Sequence, residues 1–491
     1  MKSLLALAIG PVQDFIAAGR RPADLYAGSS LLQHLVQTIA RSFPSGSELI
    51  FPAAVEHATA NKLLAVVEDD PKHIVEQLKH SATRRLEALW EEQVALLPAN
   101  LQKSYTHKLA RVQIQSFLEM YAAWHPLEGD DYLVVRGKVE KLLAARKALR
   151  NFPNLNQDDD GVPKSPLDPA FAAVIDPRNW QNAQLEVGLP LRIKPTETLD
   201  AVSLLKRIYG VAKLGHLPST RLLARRAVNP AVQPQDIEED SSTPEQQPYF
   251  AVLRMDGDRI GQYINSLSTI EEHKTFSKKL AEFARLASSI IRNHGGYPVY
   301  AGGDDVLAFL PITKALSCAK ALHDSFINTM GTHENGERIS ISGGIAIVHY
   351  RRPLSLSLEA ARMAERSAKE ERNALAVALH TRGGVPVISR LNWQEFSGPN
   401  GWETLIKMFE EGTLPRGLPY ELASLAEEWF WGLGGTALKK EAERITRQKV
   451  GHVPEGLFSA IDNYRGRENL KNLAQRMMIA RFLSVRGGSH A

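Results

Sequence analysis

Residues 299–310 read VYAGGDDVLAFL, two aliphatic runs flanking Gly302-Gly303-Asp304-Asp305. That pattern predicts a β-hairpin with its chemistry at the tip. Adjacent aspartates on a tight turn repel each other, and a bound cation is the usual relief. Glycines let the backbone turn sharply and leave a ligand unobstructed. Asp and Gly are also common in solvated turns, so the motif is ambiguous by itself.

Its surroundings give it context. Residues 249–255 (YFAVLRM) form an apolar run that predicts a buried strand, ending at Asp256-Gly257-Asp258-Arg259-Ile260-Gly261. A helix follows over about 271–293, with Phe276, Leu280, Phe283, Leu286 and Ile290 at helical spacing and His294-Gly295-Gly296 stopping it. After the hairpin come a helix over about 314–330 and a strand over 338–349 (RISISGGIAIVH). The order strand, helix, strand, strand, helix, strand predicts a ferredoxin-like βαββαβ unit. Its two central strands are the first and third, which brings Asp256 toward Asp304 and Asp305. Three carboxylates at one strand edge suit Mg²⁺ or Mn²⁺ held jointly with nucleotide phosphates. The N–H groups of Gly257, Asp258, Arg259, Ile260 and Gly261 are candidates to cradle a triphosphate. Asp258 has a second reading, as the cap of the following helix.

These motifs resemble the palm of polymerases and nucleotide cyclases, including the GGDEF diguanylate cyclases. DGDRIG, GGDD and SGGIAIVHYRRPLSLSLEAARMAERSAKEERNALAV are similar to the large palm-domain subunit of type III CRISPR effectors, and best to its Cmr-type (III-B) form. The opening IGPVQDFIAAGRRPADLYAGSSLLQHL, then IFPA with ANKLLAVV, and AVSLLKRIYGVAKLGHLPSTRLLA, extend the resemblance over about residues 1–385. It implies an α+β fold of two ferredoxin-like palm domains, one inactive and one active, with helical insertions and a helical C-terminal domain. The implied activity is a nucleotidyltransferase that joins ATP into cyclic oligoadenylate. Asp256, Asp304 and Asp305 would be its catalytic and metal residues for two Mg²⁺ or Mn²⁺ ions, with Gly302 and Gly303 beside the nucleotide. Lys369, in SAKEERN, is the candidate phosphate-binding cation, although a lysine on a helix face is usually solvated. Other effector subunits, guide RNA and target RNA are the implied partners, with target RNA switching the enzyme on.

Sliding the sequence by 248 residues pairs Ala8 with Asp256, Gly10 with Asp258 and Phe15-Ile16 with Tyr263-Ile264. The first unit then reads as a palm lacking the metal carboxylate, consistent with the implied inactive partner. Gly10, Gln13 and Ser29 become acceptor-side nucleotide contacts, with Gly28-Ser29-Ser30 at a helix start. A plain packing loop explains the same residues equally well.

The 491 residues suffice for two to four packed domains. The organisation expected is an inactive palm over 1–150, a helical and loop connector over 151–231, a polar linker over 232–248, the active palm over 249–385 and a helical domain over 386–491. Residues 72–150 read as helix-rich. Beyond 384 the chain reads as helical again, with Trp393, Trp402, Trp429 and Trp431 anchoring cores and an amphipathic basic helix over 470–485. No apolar run is long enough to span a membrane. The segment after Lys2 is too short for a signal sequence and reads as a core strand. A single cysteine, Cys318, fits a reducing cytoplasm and cannot build a cysteine zinc site, so no zinc is expected. Asp158-Asp159-Asp160 reads as a solvated acidic turn. The balance of 59 basic against 55 acidic residues says little about nucleic acid, and Arg221–Arg226 (RLLARR) reads as solvated surface or an RNA contact. The only His-Asp pair, His323-Asp324, falls inside a palm helix, so HD-type DNA cleavage is not expected. A GGDEF-like cyclase outside CRISPR, a silent scaffold, and ligation of ATP to S-adenosylmethionine are the competing readings.

Overall fold

The computed structural model describes residues 2–57, 61–127, 131–149, 161–215, 219–233, 245–332, 339–429, 434–461 and 465–484. Asp158–Asp160, most of the expected linker and Trp431 lie outside them. The chain divides into two compact units, each assembled from separate stretches. One is Met1–Ser219 with Arg259–Leu286 and Val299–Asp304; the other is Thr220–Asp258 with Ala287–Pro298 and Asp305–Ala491.

The first stretch runs β1 (Ser3–Gly10), α1 (Gln13–Ala17), α2 (Pro22–Arg41), β2 (Glu48–Phe51), β3 (Lys62–Val67), α3 (Pro71–Val94), α4 (Ala99–Gln102), α5 (His107–Phe117), β4 (Glu119–Pro126) and α6 (Tyr132–Ala148). The strands form one antiparallel sheet in the order β2-β3-β1-β4, the ferredoxin-like arrangement. β1 is apolar throughout because both of its faces are covered. Leu5, Leu7 and Ile9 pack among Val36, Ile39, Ile74 and Leu78. Leu4, Ala6 and Ala8 pack among Val135, Val139 and Leu143 of α6. β4 lies within the stretch expected to be helical. Its burial does not alternate cleanly, so the sequence carried no period-two signal. Gly28-Ser29-Ser30 falls inside α2 rather than at its start, because Pro22 at the first helical position begins that helix earlier.

α7 (Ala201–Leu214) carries two buried cations that secure this region. Arg207 bonds both carboxylate oxygens of Asp24 (2.8 and 3.0 Å) and reaches Glu197 (3.3 Å). Burial alone would raise the Asp24 carboxyl, but the guanidinium prevails and holds it below the ordinary value. Lys206 donates to the Phe15 carbonyl (2.6 Å) and to that of Ala18, anchoring the C-terminal end of α1.

α8 (Thr220–Arg226), β5 (Tyr249–Gly257), α9 (Ile260–Ser266), α10 (Ile270–Asn293), β6 (Tyr297–Gly302), β7 (Asp305–Pro311), α11 (Ile312–Met330), β8 (Ile341–His349), α12 (Leu354–Glu371), β9 (Ala374–His380) and β10 (Val387–Asn392) follow. Sheet order is β10-β9-β8-β5-β7-β6, so β5 and β7 are neighbours as expected, and β9 and β10 extend the ferredoxin-like core. β10 falls in a region read as helical. Its VISRLN pairs with the buried strand β9, and tertiary pairing decides its state. RLLARR is not a free basic face: Arg221 and Arg225 both engage Glu245, and Arg226 bonds the Tyr297 hydroxyl (3.0 Å). Glu245, within the expected linker, is therefore fixed by ion pairs. α13 (Trp402–Glu410), α14 (Leu418–Glu428), α15 (Gly435–Val450) and α16 (Gly466–Leu483) complete the chain. α16 is the helix expected at this end of the chain, and its apolar face packs on the other C-terminal helices. Leu470, Leu473, Ala474, Met477 and Ala480 enter that core, and Arg476 is buried beside them. Trp393 and Trp402 are buried as anticipated. No helix among the described residues is long and apolar enough to cross a membrane.

In the first unit, α6 also grips the segment after the Asp258 loop. Arg136 donates to the carbonyls of Ile264 (2.6 Å) and Leu267 (3.3 Å), closing the C-terminal end of α9. The Tyr132 hydroxyl and His273 Nδ1 share a buried hydrogen bond of 2.7 Å. Burial, with the Arg136 and Lys62 charges, lowers the His273 pKa from 6.5 to about 4. Below its ordinary pKa the unfolded chain takes up a proton that the folded chain refuses, so acid favours unfolding. Wild type should therefore lose about 2 kcal/mol more stability than His273→Gln between about pH 7.5 and about pH 5. Denaturant midpoints measured across that range check it; equal losses would show that His273 is protonated in the folded chain.

Candidate functional site

β5 ends at Gly257, and its ladder to β8 continues one residue further through Asp258 N–H to the Ser340 carbonyl (2.8 Å). The Asp258 side chain is only 3% exposed and accepts from Ser340 Oγ (2.7 Å), Ser342 Oγ (2.8 Å) and the Asn373 N–H (2.9 Å). It ties the end of β5 to β8 and to the start of β9. It does not cap α9: the N-cap residue there is Arg259, in the left-handed region at φ 58°, with no side-chain cap. Ile260 is buried and begins α9, with Gly261 after it.

Two residues before Asp258, the Asp256 side chain is about one-third exposed, at 32%. Its carboxylate pairs with the Lys369 ammonium of α12. Lys369 also donates to the backbone carbonyls of Asp256 (2.9 Å) and Gly257 (2.7 Å), with Asp258 Oδ1 at 3.4 Å. Burial opposes the lysine charge, but the Asp256 hydrogen bond and charge, then Asp258, hold its pKa above the ordinary value. One helical turn earlier on α12, Glu365 pairs with Arg254 of β5. The Glu365 pKa is raised, first by burial and then by the Asp256 charge, against the opposing pull of Arg254.

Asp305 is the first residue of β7. The register Met255↔Val306 puts it at the strand end beside Asp256. Asp304 and Gly303 form the turn before it, and Gly303 needs its glycine at φ +79°. A side chain at Gly302 would overlap the Tyr300 ring, whose hydroxyl donates to the Gly302 carbonyl (3.3 Å). Among the described residues no three His, Cys, Asp or Glu side chains gather into a metal cluster by themselves. The oxygens that converge do so on Lys369. Those oxygens, a carboxylate and backbone carbonyls, are nonetheless the ligand chemistry of Mg²⁺ and Mn²⁺, and the ammonium shows that they attract a cation.

Of the N-terminal candidates, Ser29 lines a small pocket with Ile9, Val12, Asn61 and Tyr300. Gln13 is exposed as the first residue of α1, and Gly10 ends β1 near the Glu119 side chain. Tyr300, Ser340, Ser342 and Asn373 were not anticipated from sequence. Tyr300 carried no local signal, because its contact with Gly302 depends on how its ring is turned. The serines of SISGG and the asparagine of ERN carried none, because their roles depend on which strand ends meet.

Residues 249–376 match the family model described as Cas10/Cmr2, second palm domain. Residues 4–122 match that of CRISPR-associated protein Cmr2, N-terminal. The Cmr subunit Cmr2 of the CRISPR system of Pyrococcus furiosus is 30% identical over 263 residues. That match covers 47% of this chain and 28% of the relative, so the chain spans well under two thirds of that relative's length. A type III-B Cmr-beta structure in its apo state superposes with TM-score 0.68 at 12% identity, covering 98% of this chain and 82% of that one. The Csm1–Csm4 cassette in complex with cA4 superposes with TM-score 0.57 at 14% identity, covering 99% and 70%. At such identities the likeness establishes the fold.

The hydrogen bonds of Asp258 assign it a tethering role. Asp258→Ala should lower stability by about 3 kcal/mol, since it strands two hydroxyls and an N–H. The shift of the unfolding midpoint measures this, and an unshifted midpoint would return Asp258 to the set of purely ligand-facing residues.

Proposed function

Because the chain belongs to the Cas10/Cmr2 family, we propose that it is a nucleotidyltransferase that joins ATP through 3′–5′ linkages into cyclic oligoadenylate. The observation that carries this reading is the oxygen cradle at the end of β5, where Asp256 and the Gly257 carbonyl meet a cation beside Asp305 of the GGDD turn. The description of the Csm1–Csm4 cassette in complex with cA4, and with one ATP, supports it as a property of a protein of like fold.

Asp256, Asp304 and Asp305 would hold two Mg²⁺ or Mn²⁺ ions. When bound, such ions lower the pKa of an attacking 3′-hydroxyl and neutralise the triphosphate and the leaving pyrophosphate. Lys369 supplies a further positive charge for the phosphates. Gly302 and Gly303 keep the turn free of side chains, so that phosphates can approach the aspartates. Gly257 to Gly261 offer backbone donors, though the Asp258 N–H is already committed to Ser340. On the acceptor side Ser29, Gly10 and Gln13 would contact the second nucleotide. The chain would work in the cytoplasm within a type III effector, with other effector subunits and guide RNA, and pairing of target RNA would switch it on.

The test is mass spectrometry of products from the reconstituted complex with ATP and Mg²⁺ or Mn²⁺, with and without target RNA. S-adenosylmethionine is supplied in a parallel arm. Target-dependent adenylate products are expected, falling at least about a hundredfold in Asp304→Ala/Asp305→Ala and in Asp256→Ala. Intact, target-binding complexes that yield no product would overturn the reading. An S-adenosylmethionine adduct would keep the chemistry and change the acceptor.

A further inference from the structure

Lys369 occupies an unusual position for a residue whose proposed task is to meet a substrate phosphate. Its ammonium pairs with Asp256 and is hydrogen-bonded to the carbonyls of Asp256 (2.9 Å) and Gly257 (2.7 Å), with Asp258 Oδ1 at 3.4 Å. An ammonium has three protons, and these acceptors satisfy all of them. The oxygens it gathers are those that a hard divalent ion would need from this strand end. The ammonium sits on Asp256 Oδ2 and on both carbonyls, so an ion using those oxygens would have to displace it, and its charge repels a second positive ion at contact distance.

The geometry points to Lys369 as a built-in competitor that seats itself in the cation position of the resting chain and must withdraw before a metal ion binds Asp256. This inference rests on the proposed metal role of Asp256 and adds its regulation. The lysine is well placed for such exchange. Its side chain is 25% exposed, and it lies two residues before the end of α12, so its head can move without disturbing the helix. Glu365, one turn back on α12, is itself paired with Arg254. The triphosphate of an incoming nucleotide would supply an alternative partner, drawing the ammonium off the carboxylate while its own oxygens complete the metal's coordination. Metal and nucleotide would then load together, and metal alone would bind weakly.

The test is Mn²⁺ binding to the full-length, metal-stripped chain, followed by electron paramagnetic resonance of the free ion. Wild type, Lys369→Met, Lys369→Gln and Asp256→Asn are compared, each without and with ATP. Without nucleotide, Lys369→Met should bind Mn²⁺ at least about tenfold more tightly than wild type, because the competitor is gone. With ATP the order should reverse, because the variant lacks the cation that receives the phosphates. Lys369→Gln, which keeps a polar head on a similar stem, should give the same order and guards against a folding defect in the methionine variant. Equal or weaker Mn²⁺ binding by both lysine variants in the absence of ATP would overturn the inference. If Asp256→Asn still abolished binding in that case, the metal reading of Asp256 would stand. Binding indifferent to Asp256→Asn would overturn that metal reading, and the competitor role with it.

Discussion

The close approach of α12 to β8 is the constraint on which the site depends. At Gly344 there is no room for even a methyl group, since a Cβ would overlap the backbone of Ala364 and Glu365. That contact lets the helix lie directly on the sheet. It brings Glu365 to Arg254 and, one turn later, Lys369 to the end of β5. The turn that leaves α12 passes through Arg372 and Asn373, both at positive φ, and delivers the Asn373 N–H to Asp258. A glycine in one strand thus sets the positions of charged groups on two other elements.

Asp256 and Asp258 show how burial divides labour between chemically identical side chains. Asp258 is enclosed and its acceptors are met by fixed donors, so it serves the architecture. Asp256, two residues earlier, faces partly into solvent and is answered by a flexible lysine. That pair lies where solvent and a ligand can reach it. The same division appears at the N-terminal end of the chain, where buried Arg207 is locked between Asp24 and Glu197 while Gln13 and Ser29 remain open to solvent or pocket.

Much of the second sheet was legible in the sequence because its signals are local. The β5 run, the periodic α10 and the GGDD hairpin each declare themselves within a few residues. Their βαββαβ order then fixes β5 beside β7, and with it Asp256 beside Asp305. What stayed hidden depends on long-range pairing. β4 and β10 become strands because a buried neighbour needs a partner, not because their own residues alternate. Arg221 reads as a surface charge until Glu245 is found next to it, and Asp258 reads as a helix cap until β8 and β9 supply its donors. By resemblance alone Lys369 reads as a phosphate ligand. Only the fold reveals that it lies against the carboxylate.

The grip of Arg136 on the carbonyls of Ile264 and Leu267 bears on how this chain can change over generations. α9 starts directly after the Asp258 loop, yet the guanidinium that finishes it comes from α6, more than a hundred residues earlier. A recombination that joined a foreign N-terminal half to residues 249 onward would inherit the GGDD turn and both aspartates but lose this closing contact. Such a hybrid would leave the carbonyls that end α9 without their donor unless the incoming α6 carried an arginine at the same place.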